Sequence, residues 1–366
     1  MNKKYTLYGA PLSLYTGKAR AYLLYKNKPF EEVFSSLKIY KEIIIPNTGV
    51  RFIPVVKTPS GGYLQDTATI IEHMEAAHPE RSVVPADAKQ KLVSYLFETW
   101  GDEWLVIPAM HYRWNKDNFP FIYQEFGKVV APSMPAFIRS FIGKKIGAKF
   151  KGFVPMLGIT QKSIPAIEDW YENHVLKCLD AHFAKHDYLL GDKPCTGDFG
   201  LMGPLYAHLY RDPEPGKLMK KIAPNVALWV ERMNQAKDVE GEYLADDVIP
   251  ETLLPILRRM FAEQWPVLRS IVSRVKAWSK QNPDTIELPR SIGEHEFTIG
   301  NITEKRAIGT FQQWKIQRIL ACYNEFDSTK KADVDALLNE VGGYEFMQMS
   351  INNPVVRVNN KLRFKP

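Results

Sequence analysis

Ser13 stands where strand-forming residues give way to a run with helical spacing, a position at which a hydroxyl can do chemistry. Free backbone N–H groups and the positive end of the helix dipole collect at a helix N-terminus, so an anion is stabilised there and a serine hydroxyl can donate to it. Serine is also a common helix cap, in which its oxygen accepts from the backbone and no ligand is involved. The residue type and its place allow both uses. No histidine adjoins Ser13 and no Gly-x-Ser-x-Gly turn surrounds it, which argues against a hydrolase triad. The segment "GEHEFTIG" at 293–300 sets glutamates around His295 without further ligands, and reads as a solvated loop rather than a metal site. Cys178, Cys195 and Cys322 lie far apart without CxxC or histidine-rich companions, so neither a disulfide framework nor a zinc centre is expected.

The elements that position Ser13 follow from its flanks. Tyr5, Thr6 and Tyr8 are aromatic or β-branched and, with Leu7, favour a strand, which Gly9, Ala10 and Pro11 end. Ala19, Tyr22, Leu23 and Lys26 recur at helical spacing, and Asn27 to Pro29 close that run. "FIPVVKT" at 52–58 reads as a strand, "PSGG" as a turn, "GYL" as a strand, and "DTATIIEHMEAAHP" as a helix stopped by Pro79. Residues 1 to about 80 thus read as βαβ followed by ββα, the plan of a thioredoxin-like domain. After the polar linker "PADAKQK", helical periodicity dominates. Leu92, Leu96, Trp100, Trp104, Ile107, His111 and Trp114 follow one stripe, with Pro108 expected to kink the helix. Further helices are expected near 163–185, 197–210, 224–236, 250–280 and 305–325, giving an all-α second domain and a basic, extended tail.

At 366 residues the chain is long enough for two domains, and 45% hydrophobic with 24% charged residues is ordinary for a globular protein. The opening residues enter a strand without an apolar signal core, and no run approaches the roughly 20 apolar residues that span a bilayer, so a cytoplasmic location is expected. The net charge of +7 is uneven: between Glu125 and Glu168 stand Lys128, Arg139, Lys144, Lys145, Lys149, Lys151 and Lys162 with no acid. "FIRSFIGKKIGAKFKGF" at 137–153 alternates cations with Phe and Ile, as a membrane-surface or anionic-partner site would. Its glycines and the lack of one continuous apolar stripe favour a solvated insertion instead. Nothing else points to nucleic acid.

Over roughly residues 4–240 the pattern resembles the cytosolic glutathione transferase superfamily. "SLYTGKAR" resembles the family's S/C-x-x-x-x-x-x-R start of the first helix, with Ser13 at the catalytic position of the serine and cysteine classes. "FIPVV" is similar to the Val-Pro motif, whose proline is cis, and "LQDTATIIEHM" to L-x-E-S-x-A-I. "PCTGDFGLMGPLYAHL" resembles the S/T-x-x-D capping box of the helical domain's central helix. The departures are Asp66 for Glu, Thr67 for Ser, Thr69 for Ala and Cys195 for the capping hydroxyl, for which Thr196 or Asp198 is placed to compensate.

The resemblance implies a thioredoxin-like domain over 1–84, an all-helical domain over 90–325 with an insertion at 118–162, and a C-terminal extension at 326–366. It implies glutathione as co-substrate, no metal, a hydrophobic small-molecule electrophile and a homodimer. Thr67 and Asp66 would take the carboxylate and amine of the γ-glutamyl end, Ile53 beside Pro54 the cysteinyl main chain, and Arg51 the glycyl carboxylate unless it is a plain surface residue. Ser13 would stabilise the thiolate, with Tyr8, Tyr15 and Thr16 as spare hydroxyls. "ETWGDEWLVIPAMHYRW" supplies Trp104, Met110, His111 and Trp114, with Tyr15, as electrophile-site candidates or as plain core; Glu103 and Arg113 are read as pairing or facing water. The expected activity is a detoxifying transferase. The alternative is a non-catalytic binding or scaffold protein, since fold does not fix function.

Overall fold

The computed structural model describes residues 4–119 and 121–365. The chain begins with β1 (Tyr5–Gly9), α1 (Leu14–Tyr25), β2 (Phe30–Phe34), β3 (Val55–Lys57), β4 (Tyr63–Gln65) and α2 (Thr67–Ala77). The sheet order is β2-β1-β3-β4, with β1 and β2 parallel across the α1 crossover and the other pairs antiparallel. Leu7, Val55 and Val56 are buried, and α1 buries Ala19, Tyr22 and Leu23, the residues whose spacing predicts the helix. This is the thioredoxin-like domain, and a helical domain follows it.

The helices of this region include α3 (Ala88–Glu103), α4 (Val106–Arg113), α5 (Phe121–Val130), α6 (Ala136–Lys151), α7 (Thr196–Ala207) and α8 (Trp265–Gln281). The break after α3 falls at Trp104 and Leu105, and Pro108 sits in the first turn of α4, where its missing N–H costs nothing. Asp198 in the first turn of α7 accepts from the N–H of Cys195 at 2.9 Å and of Leu189 at 3.1 Å, so its carboxylate caps a helix whose capping position holds a thiol.

Beyond α8 the region adds strands to the helical plan. A hairpin of β5 (Ser291–Ile299) and β6 (Ile302–Gly309) precedes α9 (Phe311–Asn324) and α10 (Ser328–Val341), and a second hairpin pairs β7 (Val355–Val358) with β8 (Lys361–Phe364). Two expectations are corrected here. "GEHEFTIG" is a strand rather than a solvated loop, because His295, Phe297 and Ile299 alternate inward. The helix expected at 305–325 begins only at Phe311, since Arg306 and Ile308 continue the same alternation in β6. His295 Nδ1 lies 2.9 Å from Ser270 Oγ, and among the described residues no group of three or more His, Cys, Asp and Glu could hold a metal ion.

The described chain divides into two compact units, each drawn from three segments. One contains residues up to Val83, Ala109–Val154 and Phe199–Glu240; the other contains Val84–Pro108, Pro155–Asp198 and the chain from Gly241. In the second unit, α9 docks on α3 through buried charge pairs, Lys315 with Asp102 at 2.8 Å and Arg318 with Glu98 at 2.8 Å. In the first unit, a cluster of Tyr8, Ile44 and Val55 backs the sheet. A second cluster joins Ala10 and Leu12 to Trp114, Ile122, Phe126 and Val129, so α5 packs against the loop that carries Ser13.

Candidate functional site

Sheet register gathers the candidate residues at one edge. Tyr8 pairs with Val55 and Val55 with Gln65, so the C-terminal end of β1, the N-terminal end of β3 and the C-terminal end of β4 share one side of the sheet. Ser13 follows the first, Ile53 and Pro54 precede the second, and Asp66 and Thr67 follow the third. All of them belong to the same compact unit.

Ser13 is the N-cap of α1. Its backbone is extended, and its Oγ accepts from the N–H of Thr16 at 3.3 Å. That bond uses an oxygen lone pair and leaves the hydroxyl proton to donate, so cap and anion donor are compatible roles. The proton has no acceptor among the described residues. The adjacent N–H groups of the first helical turn have no intrahelical partners, as at any helix start.

A second helix start lies at α2. Asp66 holds φ at 79°, a left-handed value that a non-glycine residue adopts at a cost, and strain of this kind concentrates at ligand sites. Its Oδ1 accepts from the N–H of Ala68 at 3.0 Å. Thr67 follows with 2% of its surface exposed, and its hydroxyl makes no hydrogen bond among the described residues. Ile53 and Pro54 are joined by a cis peptide bond, and Ile53 presents a main chain bonded to no other backbone group among the described residues. Arg51 is exposed and enters no ion pair among the described residues. This edge therefore offers two helix N-termini, two hydroxyls, a carboxylate and a vacant stretch of main chain, which together suit a zwitterionic, peptide-like ligand.

The spare hydroxyls are differently placed. Thr16 is buried and its Oγ1 accepts from the N–H of Ala10 at 3.2 Å, which occupies it in shaping the loop. Tyr8 lies in the core stacked on Tyr63, and burial, then Tyr63, holds its phenol above the usual range. Tyr15 is half-buried on α1. Arg20, the motif's arginine, forms a bidentate pair with Glu32 at 2.6 Å and so locks α1 to β2.

The expected aromatic wall does not act as one piece. Trp104 is buried in the second unit against the edge of Phe297, with the Arg306 guanidinium 5.4 Å from its ring. Met110 and Trp114 join the first unit's cluster with Leu12 and Ile53, and Trp114 stacks on Phe126. His111 is buried, edge-on to Tyr112. The reason for the split is the interruption after α3, which resets the helical phase between Trp104 and Met110.

One group near the site escapes sequence reasoning. Arg113, expected to pair with Glu103 or face water, is 2% exposed and takes Asp212 bidentately at 2.7 and 2.8 Å. Its remaining donors reach the carbonyls of Leu12 and Ala207. Asn118 donates to Asp212 at 2.9 Å and to the Arg113 carbonyl at 3.1 Å. Burial pushes the Arg113 guanidinium below its ordinary range, and Asp212 opposes that shift. Leu12 precedes Ser13, so this buried network anchors the serine's loop from beneath. Asp212 is 99 residues away along the chain, and no local signal marks the pair.

Comparison with known proteins finds two family models. The model for "Glutathione S-transferase, N-terminal domain" matches residues 7–82, and that for "Glutathione S-transferase, C-terminal domain" matches residues 148–237. Among solved structures, a glutathione S-transferase from Rhodospirillum rubrum F11 is 16% identical, covering 68% of this chain and 96% of its own with a TM-score of 0.42. A glutathione S-transferase from Methylobacillus flagellatus with glutathione bound is 17% identical, covering 62% and 93%, with a TM-score of 0.39. The beta-etherase LigF from Sphingobium is 18% identical, covering 64% and 95%, with a TM-score of 0.43. No curated protein matches the chain.

Proposed function

The chain belongs to the cytosolic glutathione transferase superfamily, and from that premise we propose that it binds glutathione as co-substrate and activates the thiol for attack on an apolar electrophile. The observation that carries the reading is the register Tyr8–Val55–Gln65, which brings Ser13, Ile53, Asp66 and Thr67 to one sheet edge with the Ser13 proton uncommitted. The hydroxyl and N–H of Thr67 receive the γ-glutamyl carboxylate, and Asp66 meets the amine. Ile53 offers its main chain to the cysteinyl unit, and exposed Arg51 is placed for the glycyl carboxylate. Ser13 donates to the sulfur.

A thiol of pKa about 8.5 is mostly protonated at neutral pH, and lowering it by roughly two units makes the thiolate the majority. One hydroxyl donor and a helix N-terminus are of that order. The thiol proton leaves to solvent, the thiolate forms the new carbon–sulfur bond, and the electrophile's leaving group departs with the bonding pair. Ser13 is an activator throughout and makes no bond to substrate.

A non-catalytic glutathione-binding role has one observation in its favour. Trp114, Ile122 and Phe126 fill the space beside Ala10, Leu12 and Ile53, where an electrophile would approach the thiol. Calorimetry with glutathione, followed by turnover of a generic aryl halide, separates the readings: binding with turnover supports the transferase, binding without turnover the non-catalytic binding role, and no binding overturns both of these and leaves a scaffold that does not need glutathione. We assign the protein to the cytoplasm as a homodimer, in keeping with the family; fractionation and light scattering test those assignments. Among the described residues no helix is long and apolar enough to cross a membrane.

A further inference from the structure

The helices α5 and α6 form an antiparallel hairpin locked by glycines. A Cβ built at Gly143 would lie 2.0 Å from the Tyr123 carbonyl oxygen, and one built at Gly127 would lie 2.2 Å from that of Arg139, so only glycine allows this approach. The inner side of the hairpin, with Ile122, Phe126 and Ile146, packs in the cluster that includes Leu12 and Ile53. Its outer side is different. Phe137 and Phe141 on α6 are 76% and 71% exposed, which is unusual for neighbouring large aromatics.

Helical geometry of about 100° per residue fixes what surrounds them. Phe137, Phe141 and Ala148 fall within about 40° of one line, Lys144 and Lys151 lie on one flank of it, and Lys145 and Lys149 on the other. Gly143 and Gly147, roughly 100–140° round the helix from that line, are buried. Lys144, Lys145 and Lys149 are exposed and enter no ion pair among the described residues, and no acid stands between Glu125 and Glu168 to neutralise them. An aromatic stripe between two lysine rows is the arrangement of a helix lying in a membrane interface: rings enter the acyl boundary while lysine stems extend to the headgroup phosphates. Solvation alone explains the lysines but leaves the two phenylalanines unaccounted for. A second copy of this face would set lysine rows against lysine rows, which like-charge repulsion opposes.

We infer that the outer face of α6 is a docking surface for an anionic lipid bilayer, which it engages peripherally with the helix lying along the surface. The occupant is an intact bilayer carrying phosphate headgroups, because the stripe needs an apolar depth that a free phosphate does not supply. The inference is independent of whether glutathione binds. It bears on that reading in one respect, since an enzyme held on a bilayer meets electrophiles that partition into lipid.

The test is flotation of the full chain with vesicles of phosphatidylcholine alone, or of phosphatidylcholine with phosphatidylglycerol. Binding to the anionic vesicles, weak binding to the neutral ones, and release as salt is raised are expected. Replacing Lys144, Lys145 and Lys149 together by glutamine lowers the partition coefficient about a hundredfold, at roughly fivefold per surface lysine. Phe137→Ser with Phe141→Ser abolishes flotation while leaving circular dichroism unchanged, because neither ring packs in the core. Equal binding to both vesicle types, no binding, or binding unaffected by either set of variants would overturn the inference. So would retention by single-stranded oligonucleotide, or concentration-dependent self-association, in the absence of flotation.

Discussion

Replacing Ser13 by alanine separates its two roles, because the geometry assigns each a different cost. The cap bond from Thr16 spans 3.3 Å, beyond the usual range for N–H···O, so its loss belongs at the low end of cap energies, about 0.5 kcal/mol. The main-chain bond from the Gly17 N–H to the Ser13 carbonyl, at 3.1 Å, does not involve the side chain and survives. The catalytic cost is larger. A hydroxyl donating to a charged sulfur contributes about 1.5–3 kcal/mol, which at 1.36 kcal/mol per unit raises the pKa of the bound thiol by roughly one to two units. Turnover at neutral pH should then fall about ten- to a hundredfold, while glutathione affinity stays within a few fold because the Thr67 and Asp66 contacts remain. The assay is an ultraviolet thiolate titration of bound glutathione, wild type against Ser13→Ala, with thermal unfolding alongside. An unchanged titration with a slightly lowered melting temperature would reduce Ser13 to a cap. Suspicion would then fall on Tyr15, since Thr16 is occupied with Ala10 and Tyr8 is held in the core.

Thr67→Ala should weaken glutathione binding by about 1–3 kcal/mol in calorimetry while Thr67→Ser changes little; equal affinity in all three proteins would refute the carboxylate assignment. Arg113→Met leaves the Asp212 carboxylate buried without its cation and should cost about 3–5 kcal/mol in denaturant unfolding, much of it recovered by adding Asp212→Leu; a fully stable single variant would contradict the buried network. Burial pushes His182 down to about 3, against an unfolded value near 6.5. Its imidazole is therefore neutral in the fold while the unfolded chain takes up a proton, so stability is full above about pH 6.5 and is lost as pH falls toward the folded value, by up to about 1.4 kcal/mol per pH unit. His182→Gln should reduce the slope of stability against pH between about 6 and 4 by close to one proton, and an unaltered slope would show that His182 does not set it.

What the sequence reveals here depends on how local the cause is. Ser13 is legible because strand, turn and helix meet within a few residues of it. Asp66 and Thr67 are legible because β4 and α2 adjoin. The left-handed backbone of Asp66 is not, since nothing in an Asp-Thr pair demands it. The β5–β6 hairpin did leave a trace. Gly300 and Asn301 stand between alternating Phe297, Ile299 and Ile302, and the positive φ of Gly300 turns the chain there. Short apolar runs fit helix and strand spacing alike, so such a signal does not decide between them. The stripe from Trp100 to Trp114 misleads for a related reason: periodicity assumes an unbroken helix, and two residues outside helical register between α3 and α4 are enough to part Trp104 from Met110.

The C-terminal extension shows what local reasoning cannot reach. Glu98 and Asp102 lie one helical turn apart on α3, a spacing that ordinarily marks a solvated face. Both are buried, and their charges are met by Arg318 and Lys315 from α9, three residues apart and more than 200 positions along the chain. A buried carboxylate that loses its cation costs several kcal/mol, so each pair is tolerable only while its partner helix is present. The extension is thus an integral part of the second unit, because α3 is built to be covered. Ending the chain near residue 240 would strand two carboxylates on an uncovered helix, together with the face of α3 that α9 now buries. A shortened chain that failed to fold would therefore report the loss of this cover, and would carry no information about the glutathione edge of the other unit.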